Sequence, residues 1–269
     1  PALHTWEAEA REERIAEEEF AQSQVTMQNL KIKEQNEAAG AKGELSIRLP
    51  EGVTGDQIAV SSDYVTQTIR VEIPQADRTY FDSYPVLGNS DYIDGLSYTR
   101  QEETGVIEVT TNKVYELQTE YDTQTFYFNF LTPHEVYDKV VVIDAGHGGR
   151  AVGANKQGIN EKDIDLAIVL KLKEIFDNSD QNIGVYYTRT DDSNPTFDQR
   201  VQLANKSDAD LFISIHNNST RSGRMSGTSG TQVMYDETSE ASRQFAQICL
   251  EEVTGRIGSR DKGLVEGDS

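Results

Sequence analysis

Apolar positions change their rhythm three times along the chain, and each rhythm predicts a different architecture. Residues 5–38 ("TWEAEAREERIAEEEFAQSQVTMQNLKIKEQNEA") contain no Pro or Gly and are rich in helix formers. Their sparse apolar positions (Ile15, Phe20, Val25, Met27, Leu30, Ile32) keep no helical or heptad period. The pattern predicts a solvated, charged helical stalk or linker over residues 1–42 rather than a coiled coil. "AAGAKG" (38–43) reads as a hinge. From residue 43 to 132 the period falls to two. "ELSIRL", "QIAVSS", "TIRVEI", "GVIEVTT" and "TFYFNFL" alternate or cluster β-branched and aromatic residues between turn signals. Short strands without intervening helices predict an all-β module of sandwich type.

After a linker at 133–138 the pattern becomes strand, helix, strand. "KVVVIDAG" is a continuous apolar run of the kind buried on both faces of a parallel sheet. "EKDIDLAIVLKLKEIF" (161–176) sets Ile164, Ala167, Ile168, Leu172, Ile175 and Phe176 at helical spacing. "NIGVYYTR" (182–189) and "ADLFISIHNN" (209–218) read as strands around the helix "TFDQRVQLANKS" (196–207). "SGTQVMY" (229–235) is a further strand and "ETSEASRQFAQICLEEVTG" (237–255) a further helix. Residues 139–269 are therefore an α/β domain.

Composition narrows the function classes. The net charge of −21 argues against a nucleic-acid binder, whose phosphate contacts need clustered Lys and Arg, and disfavours adhesion to anionic surfaces. Cys249 is the sole cysteine, so no intrachain disulfide forms. No apolar run reaches the length of a membrane span, and no signal-peptide core is present. The chain opens on Pro1, so a targeting segment upstream is left open.

Two of the four histidines stand at strand ends of the α/β domain. His147, in "VVVIDAGHGG" (140–149), lies just past one buried strand, and His216 closes another. Neighbouring parallel strands present their carboxyl ends to one crevice, where ligands bind. Glu161 opens the helix that follows the first strand, and a strand–loop–helix connection returns it to the same edge. Two imidazoles and one carboxylate make a catalytic zinc set with a fourth position open. Asp144 or a nearby carbonyl is placed to hold the second imidazole nitrogen. Each residue also has an ordinary reading. A strand-end histidine is usually a boundary residue, and Glu161 at a helix start suits the dipole without any metal. "DAGHGG" as an anion cradle lacks a following "GK[ST]" or "GxGxxG". The coincidence of three such residues favours the metal. Arg189 and Arg200 read as structural ion-pair partners, with Asp191 and Asp198 nearby in sequence. Tyr80, Phe81 and Tyr84 read as packing residues.

"VVIDAGHGG", "GINEKDIDLAIVLKLKE", "YYTRTDD", "FDQRVQLANKSDADLFISIHNN" and "SGTQVMY" resemble, in order and over roughly 139–264, the zinc-dependent N-acetylmuramoyl-L-alanine amidases of the amidase type 3 family. The resemblance implies a twisted mixed sheet flanked by helices, one zinc ion, and His147, Glu161 and His216 as its ligands. It implies hydrolysis of the amide between N-acetylmuramic acid and L-alanine in peptidoglycan, and an extracytoplasmic site of action in the bacterial envelope. The alternatives from other classes are a non-hydrolytic peptidoglycan-binding or scaffold protein and a zinc peptidase. The β-rich module resembles AMIN-type domains by composition and order, and residues 1–132 are the expected seat of any regulatory partner. The family's general base is a glutamate in a late "LVEtGF"-like strand. Here "RDKGLVEGDS" offers Glu266, or else leads into the preceding strand, with the base beyond Ser269. The second reading is favoured, because Gly-Asp follows where Gly-Phe is expected. The loop "NSTRSGRMSGTSG" (218–230) is too short and Gly/Ser-rich to form a blocking helix.

Overall fold

The computed structural model describes residues 28–30, 33–34, 43–89, 91–219 and 227–267. The chain divides into two compact units, Pro1–Asn217 and Asn218–Ser269.

The first unit begins with a sandwich of two five-stranded sheets. One runs in the order β1 (Gln28–Asn29), β7 (Ile93–Gln101), β8 (Thr104–Thr111), β5 (Thr68–Pro74), β4 (Ala59–Asp63). The other runs β2 (Lys33–Glu34), β6 (Leu87–Gly88), β3 (Leu45–Arg48), β10 (Thr125–Leu131), β9 (Glu116–Tyr121). Strict alternation of buried and part-buried residues along β5 and β10 aims one face of each strand inward. Ile69, Val71 and Ile73 of β5 and Phe126, Phe128 and Phe130 of β10 share a single core with Leu45, Ile47, Ile107 and Val109. Helix α1 (Arg78–Ser83), capped by Asp77, adds Phe81 to that core. Tyr84 is part exposed, with the Arg48 guanidinium 4.6 Å from its ring centroid.

Most of the helix expected over residues 5–38 lies outside the described residues. Its described portions are extended instead: β1 pairs with β7 and β2 with β6. The physical reason is visible in the pattern. Without an apolar stripe a helix has no face to bury, whereas Leu30, part of an extended segment, packs on the sandwich core.

The expected linker contains a short helix, α2 (Pro133–Val136), closed by a reciprocal capping pair of Thr132 and Glu135. From there β11 (Lys139–Ala145) runs between β14 (Ile183–Tyr187) and β15 (Leu211–Ile215), parallel to both. A small antiparallel hairpin, β12 (Asn155–Lys156) with β13 (Ile159–Asn160), precedes helix α3 (Glu161–Asp177). Helix α4 (Phe197–Lys206) starts from a Thr196/Gln199 capping box.

β11 is buried on both faces, and its alternate residues serve two cores. Val141, Ile143 and Ala145 meet Val169, Leu172 and Phe176 of α3. Val140 and Val142 meet Leu203 and Ala204 of α4, Tyr186 of β14, and also Val114, Tyr64 and Val65 from the sandwich. The β-rich and α/β parts of this unit therefore share a hydrophobic core.

The inner face of α3 departs from the sequence reading. Glu161, Lys162, Asp165 and Val169 are its buried residues, while Ile164, Ile168 and Ile175 are exposed. The helix is turned so that positions 161, 165 and 169, one turn apart, face inward.

In the second unit β16 (Thr231–Asp236) and β17 (Asp261–Gly267) pair in parallel, joined by α5 (Glu240–Ile257). Ser239 caps the helix start, and Gly258 ends it in the left-handed conformation at φ +65°. "DKGLVEG" is thus itself a strand rather than a lead into one.

Candidate metal centre

β11 ends in a sharp turn built around the first histidine. His147 has φ +60°, uncommon for a residue with a side chain. Reciprocal amide bonds between Gly148 and Ala151, 3.0 and 2.8 Å, close the turn. Two arginines hold it from below. Arg189 donates to the carbonyls of Ala145, Gly146, Lys162 and Asp191. Arg200 donates to the Asp144 carboxylate, to Ala145 O and to His147 O. Both arginines are structural, as expected, but carbonyls and Asp144 take the place foreseen for Asp191 and Asp198. Asp144 also accepts from Thr188 Oγ1 (2.6 Å) and Ser214 Oγ (2.5 Å). Its link to the histidine thus runs through Arg200, which bridges the carboxylate and the His147 main chain. Burial pushes the Asp144 carboxyl up, but Arg200 and the two hydroxyls outweigh it and hold it below the ordinary value.

Glu161 is the first residue of α3, where the helix dipole favours a carboxylate. The loop before it satisfies two of the free amides of the first turn: Glu161 N donates to Ala154 O and Lys162 N to Val152 O. The Glu161 side chain is buried and fully engaged. Oε2 accepts from Ala154 N (2.7 Å), and Oε1 accepts from Asn217 N (2.7 Å). Oε1 also lies 3.3 Å from His147 Nε2 and 3.2 Å from His216 Nδ1. The imidazoles stand edge to face, with centroids 4.9 Å apart. Burial raises the Glu161 carboxyl, yet both imidazoles and both amides draw it well below the usual carboxylate range. Burial lowers His216, but Glu161 overrides this and raises it.

The three residues predicted from sequence therefore converge, and a fourth joins them. His147, Glu161, Asp165 and His216 each offer a ligand atom, all within 4.8 Å of one another. Asp165 is fully buried, and its Oδ1 accepts from Asn217 Nδ2 at 2.7 Å. Burial pushes its carboxyl up to about 6; the Asn217 bond opposes this, and the neighbouring Glu161 charge adds to it. Sequence reasoning missed Asp165. The available signal was its spacing of one helical turn from Glu161.

Space for an ion is kept by missing side chains. A Cβ on Gly153 would lie 2.6 Å from His147 Cδ2 and 2.7 Å from Glu161 Oε2. One on Gly146 would lie 2.4 Å from His216 Cε1. Two imidazoles, an ionised carboxylate and a cleared cradle suit a divalent, nitrogen- and oxygen-preferring ion such as zinc.

Glu266 lies in the second unit on β17, opposite Tyr235 of β16, whose hydroxyl donates to its Oε1 at 3.3 Å. Most of the loop at 218–230, residues 220–226, lies outside the described residues.

Comparison with known proteins matches residues 141–268 to a family described as N-acetylmuramoyl-L-alanine amidase. "Uncharacterized protein YqiI" of Bacillus subtilis (strain 168) is 38% identical over 136 residues, covering 48% of this chain and 61% of that protein. "N-acetylmuramoyl-L-alanine amidase CwlM" of Bacillus licheniformis is 33% identical over 123 residues, covering 46% of this chain and 47% of that protein. Among solved structures, the catalytic domain of CwlV, an N-acetylmuramoyl-L-alanine amidase from Bacillus (Paenibacillus) polymyxa var. colistinus, is similar at 35% identity. Its TM-score is 0.45, over 49% of this chain and 71% of that one. The chain thus spans less than two thirds of the length of the two Bacillus relatives. Through residues 141–268 the chain belongs to the N-acetylmuramoyl-L-alanine amidase family, amidase type 3.

Proposed function

We propose that this protein is a zinc-dependent hydrolase that cleaves the amide between N-acetylmuramic acid and L-alanine in peptidoglycan, with His147, Glu161 and His216 holding one zinc ion. The observation that carries this reading is the convergence of two imidazoles and one carboxylate on one end of a parallel sheet, within a segment that matches the amidase family. Bound there, zinc supplies a Lewis acid for the amide carbonyl and lowers the pKa of water to about 7.

The chain's own residues set the conditions. Glu161 stays ionised because two backbone amides hold its oxygens, so it is an anionic donor at neutral pH. Arg200 and Arg189 fix the turn that carries His147, which sets the imidazole's position before any ligand arrives. Glu161, held by two backbone amides and committed to the metal, is not the group that moves protons. Transfer to the leaving nitrogen falls to a carboxylate outside the three ligands.

Peptidoglycan lies outside the cytoplasm, and we place the activity there. Among the described residues no helix is long and apolar enough to cross a membrane. The sandwich before the α/β part is the surface we assign to any regulatory partner.

Elemental analysis of the purified chain, before and after His147→Ala, tests the centre. One zinc per chain is expected, lost in the variant. Unchanged stoichiometry would remove the centre from His147. Release of stem peptides from purified walls then tests the reaction. Soluble muropeptides with and without the muramyl sugar separate an amidase, which needs the sugar, from a zinc peptidase, which does not.

A further inference from the structure

We propose that a pocket in the sandwich, built around Arg48 and Tyr84, binds a sugar bearing a carboxylate, namely the N-acetylmuramic acid unit whose carboxyl the hydrolysis frees. That the ligand carries a carboxylate follows from the pocket. That the carboxylate is the muramyl one rests on the amidase reaction proposed above.

The pocket, of about 270 Å3, lies where the end of β3, the end of α1 and the start of β10 meet, with Arg48, Ser83, Tyr84, Gln124 and Thr125 among its walls. Those walls are fixed before any ligand arrives. Arg48 and Thr125 stand opposite each other in the β3–β10 pairing, and Leu49 N donates to Gln124 O at 2.7 Å. The Tyr80 hydroxyl donates to Arg48 O at 2.9 Å, and the Tyr80 and Tyr84 ring centroids are 5.0 Å apart. Helix α1 is thereby held against the strand end, with the Arg48 guanidinium over the Tyr84 ring at 4.6 Å.

Acidic residues outnumber basic ones in this chain, 46 to 25, so an exposed arginine has many carboxylates to choose from. Yet among the described residues the Arg48 guanidinium meets no carboxylate and no hydrogen-bond acceptor. Its contact with the Tyr84 ring attracts the charge but uses none of the five N–H donors. The Ser83 hydroxyl and the Gln124 side-chain amide are also without partners among the described residues. A single planar guanidinium fork matches one carboxylate bidentately. The net charge of −21 keeps polyanions away, so a lone carboxylate is the anion this pocket suits. The exposed part of the Tyr84 ring adds an apolar surface beside the polar groups. A pyranose presents the matching mixture of C–H faces, hydroxyls and an N-acetyl group. The volume lies just under the usual ligand-pocket range of about 300–1,000 Å3, which suits one sugar ring.

Hydrolysis adds water across the amide C–N bond, leaving a carboxylate on the muramyl unit and an ammonium on the alanine. Uncleaved glycan has a neutral amide in that place. The pocket therefore tells product glycan from substrate glycan, and the sandwich retains the chain on wall it has already stripped.

The test uses the whole chain, with amide chemical shifts of residues 48, 84 and 124 followed by NMR during titration. N-acetylmuramic acid is expected to shift them, and N-acetylglucosamine, the same ring without the carboxylate, to bind far more weakly. Arg48→Gln is expected to weaken binding of the acid about 10–100-fold, the worth of a charge-assisted hydrogen bond. Arg48→Lys, which keeps the charge without the fork, is expected to fall between the two. Equal binding of both sugars, or binding unchanged in Arg48→Gln, overturns the proposal. Shifts produced by acetyl-alanyl-alanine but not by N-acetylmuramic acid would make the ligand a peptide carboxylate and overturn the muramyl assignment. Stem-peptide release from walls without muramic acid binding sinks the pocket alone; binding without release sinks the amidase reading and leaves the pocket.

Discussion

Gly153 shows how single residues decide this centre. Its φ of +64° and the approach of His147 and Glu161 to within 2.7 Å of any added Cβ both exclude a side chain. Gly153→Ala must push the imidazole or the carboxylate aside. We expect zinc affinity to fall at least about tenfold, in the range seen when groups that orient ligands are disturbed. Stability falls by about 1–3 kcal/mol from the positive φ. Chelator competition and urea unfolding measure the two effects separately; unchanged affinity would mean that the cradle does not shape the site. At this scale the sequence is informative where a residue's place in an element also gives its direction. His147 and His216 sit at strand ends and Glu161 at a helix start, so their convergence is readable. Asp165 is not readable in that way. Ile164 and Ile168 look like the inner face of α3 by apolar spacing, yet the helix turns its first two buried turns toward the site instead of the apolar core. Apolar periodicity cannot register a face whose partners are imidazoles.

Between elements, Arg200 ties α4 to the end of β11. It meets the Asp144 carboxylate, both groups almost fully buried, and continues to the carbonyls of Ala145 and His147. Arg200→Met would leave Asp144 charged and buried without its cation, a change that costs about 3–5 kcal/mol. Urea unfolding of metal-free protein at pH 7 measures this. The pH dependence has a definite sign. In the parent, the folded Asp144 carboxyl titrates below its unfolded value. Its stabilising contribution is therefore complete above about pH 4 and is lost as pH falls through the folded value. In the variant, burial acts unopposed by the guanidinium and raises that carboxyl, so acid relieves the penalty. The stability gap between the two proteins should narrow as pH drops; a gap constant from pH 7 to 4 would show that the pair carries no net charge effect. The sequence announces Arg200 as structural but not its partner, because Asp144 lies 56 positions away and meets it only once β11 and α4 pack. The segments at 28–29 and 33–34 fail for a related reason. Helix formers abound there, but pairing with β7 and β6 supplies backbone partners that local propensity cannot foresee.

Across the first unit, the separation into β-rich and α/β parts is legible from the change of period, while their union is not. Val114 follows β8 and packs with Val140, Val142, Tyr186 and Leu203, all fully or nearly buried. Its amide donates to Lys206 O, and Lys206 Nζ reaches Gln67 Oε1 at 3.0 Å. Glu116 of β9 accepts from Tyr186 of β14 (2.6 Å) and from Tyr64 (3.2 Å). Burial and Glu116 push both phenols far above the ordinary tyrosine value, so each stays a neutral donor. These contacts make the sandwich a structural support for β11, the strand that ends in His147. Glu116→Ala would strand the Tyr186 hydroxyl in the shared core, at a cost of about 1–3 kcal/mol for a buried group left unpaired. If the parts unfold together, hydrogen exchange should lose protection in β8 and β11 by the same amount. Zinc added to the variant should restore both, since an ion bound only to the folded state stabilises everything that folds with its site. Loss confined to the sandwich, with β11 protected as before, would make the two parts independent and leave the metal centre indifferent to the module beside it.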